Sequence, residues 1–212
     1  MTPAESDLDR VLAAIRSCRH CVEAPRGRPL PHDPRPVLRV TGTARLAVCS
    51  QAPGTRVHRS GTPFTDASGD RLRDWMGVSP QEFYDDACVA IVPMGFCFPG
   101  QDAKGADLPP RRECSSLWHE QLFAALPQID LILAVGSYAQ RWHMTSPGSS
   151  LQETMLAWRE HLNAPARPRV LPLPHPSWRN NAWLRKNPWF ERDLLPVLRD
   201  EVRALLHAPC RS

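Results

Sequence analysis

Long hydrophobic runs are missing from this chain. The longest, such as Leu131-Ile132-Leu133-Ala134-Val135, are far too short to span a bilayer, which argues against an integral membrane protein. The opening residues, Met1 to Asp7, are polar and acidic and lack the pattern of a signal peptide, so the expected location is the cytoplasm. Glycine is scarce, 11 residues against 23 prolines, so the connections are rigid ones. Seven cysteines are an odd number, and in a cytoplasmic chain they fit a disulfide framework poorly. Strong charge of one sign is lacking too, since the formal net charge is +4. With 42% hydrophobic and 23% charged residues in 212 positions, the composition is that of one ordinary globular domain, residues 1–212.

What is present alternates. Residues 6–17 place Leu8, Val11, Leu12 and Ile15 on one face, predicting an amphipathic helix that ends at Cys18-Arg19-His20-Cys21. A Pro-rich extended connector over 24–37 follows, and residues 1–40 are expected to pack on the rest. Apolar strands are expected at 45–50, 87–92, 130–135 and 169–173. Helices are expected at 69–76, 80–85, 112–125, 137–161 and 190–207, and Ser79-Pro80-Gln81-Glu82 is a capping signature for the second of these. Continuously apolar strands separated by helices imply a short parallel sheet of about four strands covered on both faces, a three-layer α/β/α sandwich. Ligands of such sheets bind beyond the carboxyl ends of the strands.

Two segments sit at such ends. Ser50-Gln51-Ala52-Pro53-Gly54 follows the first strand, and His175-Pro176-Ser177-Trp178-Arg179-Asn180 follows the last. Arg56, His58, Arg59, Arg71 and Arg73 surround the first, and Arg179, Arg185, Lys186 and Arg192 follow the second, as a phosphate-tracking surface needs. The plainer alternative is a solvated arginine-rich surface. Cys18 and Cys21 are spaced to face one metal or cluster, and Cys97 and Cys114 lie in or beside the long irregular stretch Met94 to Glu113. Cys49 and Cys88 read as packed thiols in strands. Gly136-Ser137-Tyr138-Ala139 opens a helix whose N-terminus could hold a phosphate, or is only a tight turn.

In this order, Ser50 to Gly54, Gly61-Thr62-Pro63-Phe64-Thr65-Asp66-Ala67-Ser68-Gly69, the four cysteines, and His175-Pro176-Ser177 resemble the uracil-DNA glycosylase superfamily. The pattern is most similar to its iron–sulfur branches, the fourth and fifth families. The resemblance implies excision of uracil or another deaminated base from DNA during base excision repair, by a monomer. It implies a [4Fe–4S] cluster on Cys18, Cys21, Cys97 and Cys114, although four thiolates could equally hold zinc, or no metal.

It also implies roles. Phe64 stacks on the flipped base, His175 donates to the base oxygen as negative charge develops there, and the Gln51 and Ala52 amides add donors. Pro53, Gly54 and Ser177 face the DNA backbone, and Trp178 or Arg179 fills the gap the base leaves. The chain departs from the family at Gln51, where the iron–sulfur branch has Glu, and at Ala52, where other branches have Asp or Asn. Asp66 resembles a fifth-family aspartate across a one-residue gap and is the expected water-positioning base; alternatively it caps the helix that follows. No Asn occurs in 93–101 to read uracil, so Gln51, Gln101 or backbone groups must substitute, and hypoxanthine or xanthine stays open as substrate. With no lysine in either motif, no Schiff-base lyase step is expected. The alternative function is a catalytically weak or inactive binder of DNA or modified bases.

Overall fold

The computed structural model describes residues 6–207; Cys210 lies outside them. Four parallel strands, β1 (Leu46–Cys49), β2 (Val89–Ile91), β3 (Leu131–Val135) and β4 (Arg169–Leu173), form a sheet in the order β2-β1-β3-β4. Every residue of β1, β2 and β3 is buried, which is why these segments read as unbroken apolar runs.

The period-two alternation of the strands builds two cores. Leu46, Val48, Ile91, Leu133 and Leu171 point to one face. There they meet Leu72 and Trp75 of α4 (Ala67–Met76), Met155 of α8 (Leu151–Leu156), Trp158 of α9 (Trp158–Leu162) and Leu198 and Val202 of α11 (Leu195–Leu206). Ala47, Cys49, Ala90, Ile132 and Ala134 point the other way. They meet Leu12 and Ile15 of α1 (Asp7–Arg16), Leu122 of α6 (Arg112–Ala124) and Ala139 of α7 (Ser137–His143). The result is the expected three-layer α/β/α sandwich. Arg169 donates to both carboxylate oxygens of Glu201 at 2.8 and 2.6 Å, tying β4 to α11.

The remaining helices are short: α2 (His20–Glu23), α3 (Thr55–Ser60), α5 (Pro80–Phe83) and α10 (Asn181–Lys186). The capping box at α5 is present, with Glu82 reaching back to the Ser79 N–H at 2.7 Å. One expected element is corrected: the helix over 137–161 is three helices. Pro147 has no N–H to continue α7 and Gly148 favours a turn; Ser150 then starts α8 by accepting from the Glu153 N–H at 3.2 Å. The final helix begins at Leu195, after a wide π-turn over Phe190–Leu194.

A histidine pair joins α6 and α7, with His119 buried and His143 half-buried. His119 is fully buried, stacks on Phe96 at 5.4 Å, and its Nε2–H donates to Pro93 O at 3.1 Å. Burial lowers its pKa to about 4; burial and His119 together lower that of His143 to about 3. Both rings are therefore neutral in the fold, whereas the unfolded chain takes up protons on them near pH 6.5. Their contribution is intact above that pH and is lost as pH falls from about 6.5 toward 4. The melting temperature should drop between pH 7 and 5, and His119→Gln should show a shallower drop in the same titration.

Candidate active site

The ends of all four strands and the turn before α4 line an open cavity of about 540 Å³ beyond the carboxyl edge of the sheet. From β1 the chain runs through Ser50 to Gly54. Ser50 O and Gln51 O accept from the Met94 and Gly95 N–H groups at 2.8 and 2.9 Å, so this motif is held by the segment that follows β2. From β3 it turns at Gly136, whose φ of +83° suits glycine and whose N–H donates to Leu173 O at 2.8 Å. A Cβ placed on Gly136 would lie 3.3 Å from His175 Cβ and 3.7 Å from Gln51 Nε2. The histidine and the glutamine therefore approach the same point from two strands.

His175 follows β4, and its geometry fixes its chemistry. The Ser177 N–H donates to Nδ1 at 3.2 Å, so in the neutral ring the proton sits on Nε2. Asn180 Nδ2 donates to His175 O at 2.7 Å and closes the loop. Burial holds the ring below the usual histidine pKa, with Arg179 adding to this and Asp66 opposing it. The site thus presents a neutral imidazole with an N–H free to face the cavity.

Phe64 and Asp66 come from the turn between α3 and α4. Phe64 is buried and is the one non-glycine residue at positive φ (56°) among the described residues. Its carbonyl accepts from Arg73 Nη1 at 3.1 Å, and the Tyr84 hydroxyl lies 3.0 Å from it and 2.8 Å from Pro63 O. Asp66 is the N-cap of α4, its Oδ1 accepting from the Gly69 N–H at 3.1 Å, and it also lines the cavity. Only Oδ1 is used by the cap.

The loop after His175 is a single 3-10 turn, Trp178–Asn180. Trp178 is 74% exposed, with the Arg179 guanidinium 5.9 Å from its ring centroid. It does not pack under the loop. Trp183 and Trp189 do pack, edge to face at 5.9 Å. Ala52, Pro53, Gly54 and Ser177 also line the cavity.

Sequence reading missed several wall residues, among them Val37, Val57 and Asp107, whereas Ser137, singled out at the start of α7, does line the cavity. Asp107 sits so close to the first motif that a Cβ on Gly54 would be 2.7 Å from its Oδ2. Nothing in its local sequence marks it, because the long 94–111 segment brings it there. Gln101, considered for base reading, lies elsewhere: it is exposed and donates to Gly105 O and Asp107 Oδ1 at 2.9 and 3.1 Å. Asn187, for which the sequence suggested no role, is buried and structural. It accepts from Trp189 Nε1 and Gln152 Nε2 and donates to Trp183 O.

Cys18, Cys21, Cys97 and Cys114 come from three separated segments and line a single small void of about 20 Å³ beside Phe96 and Trp118. None of them is in a disulfide. Burial pushes the Cys97 thiol up to about 12 and raises those of Cys114 and Cys21, so without a cation they stay protonated. Cys114 Sγ accepts from the Phe96 N–H at 3.3 Å. Among the described residues, no group of three or more His, Cys, Asp or Glu side chains is already arranged to hold a metal ion.

Among the described residues, no helix is long and apolar enough to cross a membrane. The sequence profile of the uracil DNA glycosylase superfamily matches residues 39–199. The matched span begins after Cys18 and Cys21 and covers all four strands and both loops that form the cavity. Sheet, cavity and match all fall on the same residues, and the chain belongs to the uracil DNA glycosylase superfamily.

Proposed function

We propose that this protein is a monofunctional DNA glycosylase of the cytoplasm, acting as a monomer in base excision repair. It hydrolyses the N-glycosidic bond of uracil, or of another deaminated base such as hypoxanthine or xanthine. The observation that carries this is His175, oriented by Ser177 as an Nε2–H donor beside Gln51 at the strand ends.

The residues divide the work. The exposed Trp178 and Arg179 enter the duplex where the nucleotide leaves, offsetting a cost of a few kcal/mol for unpairing and unstacking. Phe64 stacks on the extruded base. Gln51 offers one donor and one acceptor, which match the C=O and N–H of the lactam edge that uracil, hypoxanthine and xanthine share. As the glycosidic bond breaks, the electron pair goes to the base, and His175 Nε2–H meets the negative charge on its oxygen. The Gln51 and Ala52 amides are further donors. Asp66 orients a water toward C1′ and accepts its proton, then returns it to solvent while the released base anion takes up a proton from solvent, so the sugar leaves with a hydroxyl and the base with a hydrogen.

Uracil-, hypoxanthine- and xanthine-containing oligonucleotides, incubated with the protein and then treated with alkali, test the reading. Strand scission on at least one supports it. Ala52 carries no polar side-chain atom where other branches have Asp or Asn, so scission on none would point to a DNA or modified-base binder. Asp66→Asn should lower the single-turnover rate about 10²- to 10⁴-fold, the range of a positioned base. A rate unchanged by this substitution removes Asp66 from the mechanism.

Cys18, Cys21, Cys97 and Cys114 are proposed to hold a [4Fe–4S] cluster that cross-links the end of α1, α2, the 94–111 segment and α6 without taking part in the reaction. Support comes from the convergence of the four thiols, distant in sequence, on one small void, together with the resemblance to the iron–sulfur branches. Brown protein with stoichiometric iron and acid-labile sulfide is expected, with both lost in Cys97→Ala. Stoichiometric zinc, or no metal, would overturn the assignment.

A further inference from the structure

Helix α4 carries the first half of the site at its start, through the Asp66 cap, and it touches the second half through one side chain. Arg71 Nη1 donates to Asn181 Oδ1 at 2.7 Å and to Ser177 O at 3.4 Å. No carboxylate pairs with it among the described residues. Its partners flank the exposed turn that holds Trp178 and Arg179, and Asn180 fastens the same turn from within by donating to His175 O. Both bonds leave the one nitrogen Nη1, whose two N–H groups reach the two acceptors on either side of the turn.

We propose that Arg71 is a positioning residue: it spaces the Trp178 turn from the pocket wall and keeps that turn rigid before DNA arrives. The inference rests on the glycosylase reading for its consequence, though its structural half does not. A wedge matters only where a base must be pushed out of a stack. Duplex substrate needs it, and single-stranded substrate, already unstacked, needs it little. A turn ordered in advance loses less freedom on binding than one ordered by the substrate. Arg71 touches neither base nor scissile bond, so its contribution belongs to extrusion.

Arg71→Met should therefore lower kcat/KM on duplex roughly ten-fold, about the effect of one lost charge-assisted hydrogen bond, with single-stranded substrate changed by less than about three-fold. Asn181→Ala should show the same duplex-selective loss. The double variant should lose little more than either single one, because both remove one contact. Amide exchange without DNA should accelerate over 177–186 in Arg71→Met and stay unchanged in β1. An equal loss on both substrate forms, or additive losses in the double variant, overturns the proposal. Unchanged exchange over 177–186 overturns it whatever the activity, whereas no excision by the unaltered protein contradicts the glycosylase reading instead.

Discussion

Replacing His175 with Ala should lower the single-turnover excision rate roughly 10²- to 10³-fold, the usual cost of losing one donor aimed at a developing anion. The fold should survive, since the ring is only half-buried and its removal leaves the β4 ladder intact. The origin of the effect is local. Ser177 N–H occupies Nδ1, which leaves Nε2–H as the ring's donor, and Gly136 leaves room for the imidazole beside Gln51. Because burial favours the neutral ring, activity should persist through neutral pH and fall on the acid side, below the usual histidine range. There the protonated Nδ1 can no longer accept from Ser177, and the loop loses its anchor. Dissociation constants for product DNA separate the roles: His175→Ala should leave them close to the original value while the rate collapses. A collapse in binding that matches the loss in rate would make His175 a structural residue.

Gly69→Ala is expected to be the most damaging single substitution to the pocket wall. In most helices this change is stabilising, by about 0.5–1 kcal/mol, because it restricts the unfolded chain. Here the added Cβ would lie 1.9 Å from Phe64 O, 2.6 Å from Phe64 C and 2.8 Å from its Cβ. Two of those are backbone atoms, and neither can turn aside as a side-chain end can. The Phe64 carbonyl is also held by Arg73 and sits beside the Tyr84 hydroxyl, and its residue already occupies the left-handed region. Relief of the clash must break that arrangement or unwind the first turn of α4, which carries the Asp66 cap. A loss of about 3 kcal/mol or more is expected, at the top of the overpacking range. For a chain of this size that corresponds to roughly a 10 °C fall in the melting temperature. Excision should be lost even below the transition, because Phe64 no longer faces the base. A melting temperature equal to or above that of the parent would show that Gly69 is held by something other than this contact.

The parts of the site that could be read from the sequence are those built from strand ends. Apolar runs located β1 to β4, and whatever follows a parallel strand falls at the ligand edge, so the segments that hold Gln51 and His175 were placed by local sequence, and their roles came from the family resemblance. The Asp66 cap and the Ser79 capping box were likewise local signals. What escaped reading depends on distant chain. Asp107 reaches the cavity through an irregular segment with no period to follow. Asn187 has its role only because Trp183, Trp189 and Gln152 converge on it. The partition of 137–161 into three helices was visible in Pro147 and Gly148, but the apolar periodicity on either side concealed it. Arg71 was read as one of several surface cations, whereas its acceptors lie 106 and 110 residues further along the chain.

The central claim is that water cleaves a base from its sugar at His175 and Asp66. Single-turnover reaction of deaminated-base duplexes in ¹⁸O-labelled water tests it most directly, with both products analysed by mass. The free base should be released without label, and the abasic sugar should carry one ¹⁸O at C1′, with no strand break before alkali. Tight binding of the same duplexes with no base released, or label appearing at phosphorus, would contradict the account.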